Sequence, residues 1–376
     1  MCEFHGNGDT VFVVQGIPGR VLGLVEASGL GRNVLAQRVG LDGAKLSQSL
    51  SGDRPFVPPD LERIAEAFGV NVGWLIDGEE DALAVLAWRT TGALRAAVKE
   101  STWYATARTN LAGFGYRQLW RSRGAAFSDG PYAQQGEELA RVALRRIAAT
   151  GRSTSDADLP AVIEDVFGVD VAVITVDEPF DGLKISLPDA RIIVLGASLL
   201  PWRQRHTLAH ELCHLLSPED EEVHLDADVF GRVQGEELRA NAFAAAFLMP
   251  EEVLRTAVDK TGLPTPAFAA LACDLTVSPA ALATRLDELR LLDVATCEGY
   301  KSITPAKAAT IAKRGGEFAL SVAKANAPRL PALLVRDAYL AYEAGTVTLR
   351  PYASFLGLDV DGLRDVLESH GDNQRD

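Results

Sequence analysis

The sequence predicts an α+β chain that is mostly helical. It reads as an N-terminal helix-turn-helix bundle, a small antiparallel sheet feeding an H-E-x-x-H helix in the centre, and a helical C-terminal region. Three observations carry this. Short apolar runs at helical spacing, separated by Gly-containing turns, fill residues 18–78. β-branched residues concentrate at 169–176 and 182–195. The run 205–216 is apolar, helix-like, and contains His210-Glu211-Leu212-Cys213-His214. With 376 residues, 47% hydrophobic and 23% charged, the chain is long enough for two to three domains with real cores. A formal net charge of −14 argues against a protein that coats nucleic acid all over, and leaves room for a local DNA-reading module.

The 4 cysteines, Cys2, Cys213, Cys273 and Cys297, are scattered and form no C-x-x-C pair. Neither a disulfide framework nor a Cys-based zinc site is expected. The start carries Glu3 and Asp9 and no basic region, so it does not read as a signal peptide. No apolar run approaches the ~20 residues needed to span a bilayer. The expectation is a cytoplasmic protein with no membrane partner.

Residues 18–78 give five short helices in order. Val21, Leu22, Leu24 and Val25 open the first, which ends at Gly29-Leu30-Gly31. Residues 33–39 form the second, and Gly40-Leu41-Asp42-Gly43 is a tight turn. Residues 44–50 form the third and Ser51-Gly52-Asp53-Arg54-Pro55 breaks it. Residues 61–68 form the fourth, and a short fifth follows near Trp74. Short helix, Gly-containing turn, short helix is the helix-turn-helix signature. The runs Leu35-Ala36-Gln37-Arg38-Val39-Gly40-Leu41 and Lys45-Leu46-Ser47-Gln48-Ser49-Leu50-Ser51-Gly52 resemble the Xre-type helix-turn-helix domain. That family usually has Gln at the start of its second helix, where this chain has Arg32-Asn33. The recognition helix would be residues 44–50. Lys45 and Gln48 would reach base edges, with Ser47 and Ser49 nearby, while Arg32, Arg38 and Arg54 would meet phosphates. A helical scaffold that has lost DNA binding is the competing reading, since Asp42 and Asp53 flank the helix.

Residues 79–131 form a helical connector. It mixes Arg89, Arg95, Arg108, Arg117, Arg121 and Arg123 with Trp88, Trp103, Tyr104 and Trp120. Such a mixture can serve a nucleic-acid surface. The expectation is plainer: aromatics packed on a neighbour, Arg side chains left in solvent.

The centre, residues 132–292, begins with helices over 137–149 and 159–167. A strand over 169–176 follows, then two more over 182–187 and 191–195 with Pro188-Asp189-Ala190 as the hairpin turn. On the next helix His210 and His214 are four apart, so both imidazoles can aim at one point. Two neutral imidazoles suit Zn²⁺, and a catalytic zinc site takes three protein ligands plus an open position. Glu211 is one step round the helix, placed to act as a general base without being a ligand. For the third ligand, either Glu236 or Glu237 could project from the helix that ends at Leu248-Met249-Pro250.

Helix, strand, hairpin, H-E-x-x-H helix, then Glu237-Leu238-Arg239-Ala240-Asn241-Ala242-Phe243-Ala244 and Leu-Met-Pro resemble the ImmA/IrrE family of zinc metallopeptidases, over about residues 135–292. The resemblance implies a zincin-like domain with His210, His214 and Glu237 as ligands and Glu211 as base. Asn241, four residues after Glu237 on the same face, favours Glu237 and is positioned to hold it or a histidine by a hydrogen bond. The chain departs from the family at Cys213, where Gly is usual, and at His206, where an aromatic is usual. Cys213 reads as a buried small residue and His206 as packing or surface. His224, beyond the acidic run 219–222, is a candidate oxyanion donor.

Residues 293–376 read as a helical C-terminal region without assigned chemistry. The implied function is a zinc endopeptidase, with a DNA-binding repressor as its protein substrate, operator DNA as a second partner, and a homodimer as a further state. The competing reading is a DNA-binding regulator whose zinc domain senses without proteolysis.

Overall fold

The computed structural model describes residues 16–28, 32–68, 72–77, 92–120, 130–176, 180–217, 234–258 and 262–369. It divides into two compact units, Met1–Thr102 and Trp103–Asp376. It is mostly helical, with one three-stranded sheet among the described residues.

The first unit holds α1 (Gly16–Ser28), α2 (Arg32–Arg38), α3 (Gly43–Ser51), α4 (Pro58–Phe68) and α5 (Val72–Asp77). Val21, Leu24, Leu35, Val39, Leu46, Leu61, Ile64 and Leu75 converge on one core, as their helical spacing dictates. Asp42 caps α3 by accepting from the Ala44 and Lys45 N–H groups at 2.9 and 3.2 Å. Gly52 ends α3 in the left-handed region, at φ +84°, where a side chain would be strained. Arg20 donates to the carbonyls of Leu75 and Ile76, satisfying the free C-terminal groups of α5.

Helix α6 (Gly92–Gly113) leads from one unit into the other. In the second unit α7 (Tyr132–Ala148) and α8 (Leu159–Phe167) precede β1 (Asp170–Ile174), β2 (Gly182–Leu187) and β3 (Ala190–Gly196). Asp158 caps α8, and Gly168 closes it at φ +72°. That glycine is required twice over, because a Cβ there would lie 2.2 Å from the Leu119 carbonyl oxygen. The strand order is β1-β3-β2. β2 and β3 form the expected antiparallel hairpin, but β1 pairs parallel to β3, so the sheet is mixed and not antiparallel throughout. The sequence shows the hairpin turn but not which edge of the hairpin β1 joins. β3 is apolar on both faces, which suits a central strand, and β1 takes its open side.

The chain continues through α9 (Pro201–Leu216), α10 (Gln234–Leu248), α11 (Glu251–Ala257), α12 (Thr265–Leu275) and α13 (Pro279–Glu288). The C-terminal helices are α14 (Val294–Lys301), α15 (Pro305–Ile311), α16 (Gly315–Ala325), α17 (Ala332–Glu343), α18 (Arg350–Leu356) and α19 (Val360–Ser369). α7, α8, β1, β3 and α9 to α15 share one large apolar core, which includes Cys213 at 1% exposure. Among the described residues no single helix is long and apolar enough to cross a membrane.

One expectation fails clearly in this unit. Arg108, on the basic connector, is fully buried where solvation was expected. Its Nε and Nη2 donate to Asp170 at 2.8 Å each, and its Nη1 donates to Asp337 at 2.6 Å. The charge is carried inside because two carboxylates, 62 and 229 residues away in sequence, meet it there. Trp88, Arg89, Arg121 and Arg123 lie outside the described residues.

Candidate metal centre

α9 is placed by its apolar face. Leu208, Ala209, Leu212, Cys213, Leu215 and Leu216 are buried, and the Ser217 hydroxyl donates to the Cys213 carbonyl at 2.7 Å. This leaves His210 and His214 on the opposite side, their ring centroids 4.9 Å apart. α10 crosses α9 with Ala240, Phe243, Ala244 and Phe247 buried. α10 is held in turn by α7, whose Gly136 lets the two backbones touch: a Cβ there would lie 2.2 Å from the Arg239 carbonyl oxygen. Buried Arg239 adds a bond to Gln135 Oε1 at 3.2 Å and stands 5.5 Å over the Tyr132 ring. Glu237 and Asn241, on α10, are thereby brought to α9.

The resulting cluster is compact. His210 Nε2 lies 3.2 Å from His214 Nε2 and 3.4 Å from Glu237 Oε2, and His214 Nε2 lies 3.5 Å from Glu237 Oε1. All three ligand atoms fall within 4.8 Å of one another. Atoms bound about 2.0–2.1 Å from one tetrahedral zinc stand about 3.3 Å apart, so the spacing fits three ligands of one ion. His210 Nδ1 is 3.2 Å from Asn241 Oδ1. With the proton on Nδ1, that contact is a hydrogen bond and it leaves the Nε2 lone pair facing the cluster. Glu211 is buried at 4% exposure. Glu237 keeps 35% of its side chain exposed, so the cluster is open on its α10 side.

His206 is exposed, its ring centroid 6.1 Å from that of His210. Glu236 is only partly buried and is not in the cluster. His224 and the acidic run 219–222 lie outside the described residues. In the first unit Lys45, Ser47 and Gln48 are exposed on α3. Ser49 is fully buried and does not face outward, whereas Arg54 is partly exposed and its Nη1 donates to Ser49 and Asp60 at 3.0 and 2.9 Å. Arg32 opens α2, but its side chain and that of Arg38 lie outside the described residues.

The support from α7 escaped sequence reasoning. The apolar spacing starts that helix at Glu137, which leaves Gly136 as a boundary residue; α7 begins at Tyr132 instead. A glycine inside a helical run was the available signal of a close packing contact.

Fold and cluster together define a helix-turn-helix unit joined to an H-E-x-x-H domain of zincin type. Residues 165–287 match the IrrE N-terminal-like domain, and residues 23–73 match a helix-turn-helix domain. The central domain is therefore similar to the IrrE-like peptidase domain, with a match to a helix-turn-helix domain ahead of it. Two curated proteins named Radiation response metalloprotease IrrE are similar. That of Deinococcus radiodurans is 31% identical over 140 residues, covering 35% of this chain and 40% of that protein. That of Deinococcus deserti is 34% identical over 91 residues, covering 23% and 32%. The chain thus spans less than half the length of these relatives.

Proposed function

We propose that the central domain is a zinc-dependent endopeptidase that cleaves one specific protein, a DNA-binding repressor. The observation that carries this is the 3.2–3.5 Å spacing of two imidazole nitrogens and one carboxylate, which suits His210, His214 and Glu237 as ligands of one zinc ion. Zinc supplies a Lewis acid that makes water acidic and polarises a carbonyl. Glu211 takes the proton of the attacking water and hands it to the leaving amine. Asn241 fixes the ring of His210, and α7 fixes α10, so Glu237 needs no rearrangement to complete the set. The Deinococcus relatives bear a metalloprotease name, which supports the same activity here.

In this reading residues 18–78 read operator DNA through Arg32, Lys45, Ser47 and Gln48, and residues 79–131 connect them to the peptidase domain, residues 132–292. Residues 293–376 form a helical C-terminal region. Such a protein works in the cytoplasm, and a homodimer is the state that matches paired half-sites.

Glu211→Gln tests the mechanism. The variant keeps about one zinc per chain by elemental analysis, and its cleavage rate of a co-expressed helix-turn-helix repressor falls by about 10²–10⁴-fold. If the cellular response persists in this variant with zinc bound, the domain senses without cutting. For the DNA-reading part, Lys45→Ala/Gln48→Ala weakens binding to the chain's own promoter by at least about tenfold in a mobility shift, since one base contact contributes about 1–3 kcal/mol. Equal affinity of both proteins removes these residues from the interface.

A further inference from the structure

The second unit contains a cavity of about 640 Å³, where the first turns of α9 meet α12, α15 and α16. Sites for small molecules run to about 300–1,000 Å³. Trp202 and Phe318 line it and stack across it, with centroids 6.4 Å apart and planes 14° from parallel. Val277 and Pro305 extend the apolar wall. The His210 cluster does not line it.

Four cations do. Arg314 pairs with Asp274, Lys324 with Asp158 at 3.3 Å, and Arg329 with Glu164. Arg205 differs. It is buried to 9% exposure, and its two Nη atoms donate to the backbone carbonyls of Asp156 and Thr154. Its Nε has no hydrogen-bond partner, and no carboxylate stands within ion-pair distance among the described residues. Burial pushes its pKa down to about 10, despite the nearby charge of Asp156. A buried guanidinium with no carboxylate in ion-pair contact is costly, and an anion against it recovers part of that cost.

We propose that this cavity binds a small organic anion with a flat apolar body, its anionic group against Arg205 and its body against Trp202 and Phe318. The inference does not rest on the peptidase reading. It uses a different part of α9 and holds for the protein with or without metal.

The probe is 8-anilinonaphthalene-1-sulfonate, titrated into the full chain by fluorescence, beside its uncharged analogue N-phenyl-1-naphthylamine. One saturable sulfonate site is expected, with the uncharged analogue about tenfold weaker, the worth of one charge-assisted hydrogen bond. Ser321→Trp, which places a large ring in the cavity from α16, abolishes that site. Cys273 lines the same cavity and is partly exposed, whereas Cys213 and Cys297 are buried. Maleimide labelling mapped by mass spectrometry should slow about tenfold at Cys273 when the sulfonate is bound at about ten times its Kd, because occupancy blocks access. This readout needs no substitution and stays decisive if Ser321→Trp does not fold. Several weak sites with unchanged Cys273 labelling would overturn the proposal, as would equal affinity for the uncharged analogue.

Discussion

Arg108, Asp170 and Asp337 form one polar cluster in the second unit; His210, His214 and Glu237 form another. The first joins opposite charges at 2.6–2.8 Å, with side chains 0%, 0% and 10% exposed. Its carboxylates also take a bond from Gln118 at 2.9 Å and two from Arg336 at 3.0 and 2.8 Å. Every charge is answered and water is shut out, so the cluster has nothing left to bind. The second gathers three groups that all offer lone pairs, at 3.2–3.5 Å, with Glu237 35% exposed. They answer one another poorly and would be answered well by a cation. Burial with complementary partners marks a structural device, and convergence of like donors beside solvent marks a binding one.

Replacing one residue of the closed cluster sharpens this contrast most. Arg108→Ala leaves Asp170 buried without its counter-charge, and loses about 3–5 kcal/mol in urea denaturation. The folded fraction should still bind about one zinc per chain. Replacing all three members by apolar residues of similar size should restore most of the loss, since a buried ion cluster contributes little over good packing. If the triple variant stays as unstable as Arg108→Ala, the cluster does more than fill space.

Gly136→Ala probes the other side of the comparison. The added methyl would lie 2.2 Å from the Arg239 carbonyl oxygen and 2.9 Å from the Phe243 nitrogen, so α7 and α10 must part. The cost should be about 1–3 kcal/mol, the range for overpacking. Because Glu237 and Asn241 ride on α10, zinc affinity should fall as well, read by chelator competition. Loss of stability with unchanged zinc affinity would mean that α10 keeps its place without α7.

The two clusters were not equally legible in the sequence. His210 and His214 announce themselves because helix periodicity is local, and Asn241 likewise lies one turn beyond Glu237. The β2–β3 hairpin and the Asp158 and Ser278 caps are also written within a few residues. Arg108 is different: its partners are fixed only when α6, β1 and α17 come together, and a lone Arg among aromatics looks the same whether solvated or buried. The direction of β1 is hidden for the same reason. Ser49 shows the converse error, a polar residue on α3 that the fold buries for itself.

Asp158 gives the smallest effect and a test in pH. It caps α8 through the Ala161 N–H at 3.2 Å and faces Lys324 at 3.3 Å. Partial burial pushes its pKa up, but the Ala161 bond and the charges of Lys324 and Arg329 outweigh this and hold it below its ordinary 3.8. A carboxylate with a depressed folded pKa stabilises above its unfolded value, and that contribution is lost as pH falls through the folded value. Asp158→Ala should therefore cost about 1 kcal/mol at pH 7, mostly as a lost cap, because the Lys324 pair is half exposed and contributes little. Urea midpoints of variant and parent should converge below about pH 4, where the unfolded-state carboxyl begins to protonate. A difference that survives unchanged into acid would assign the loss to packing around α8 and remove the charge from the account.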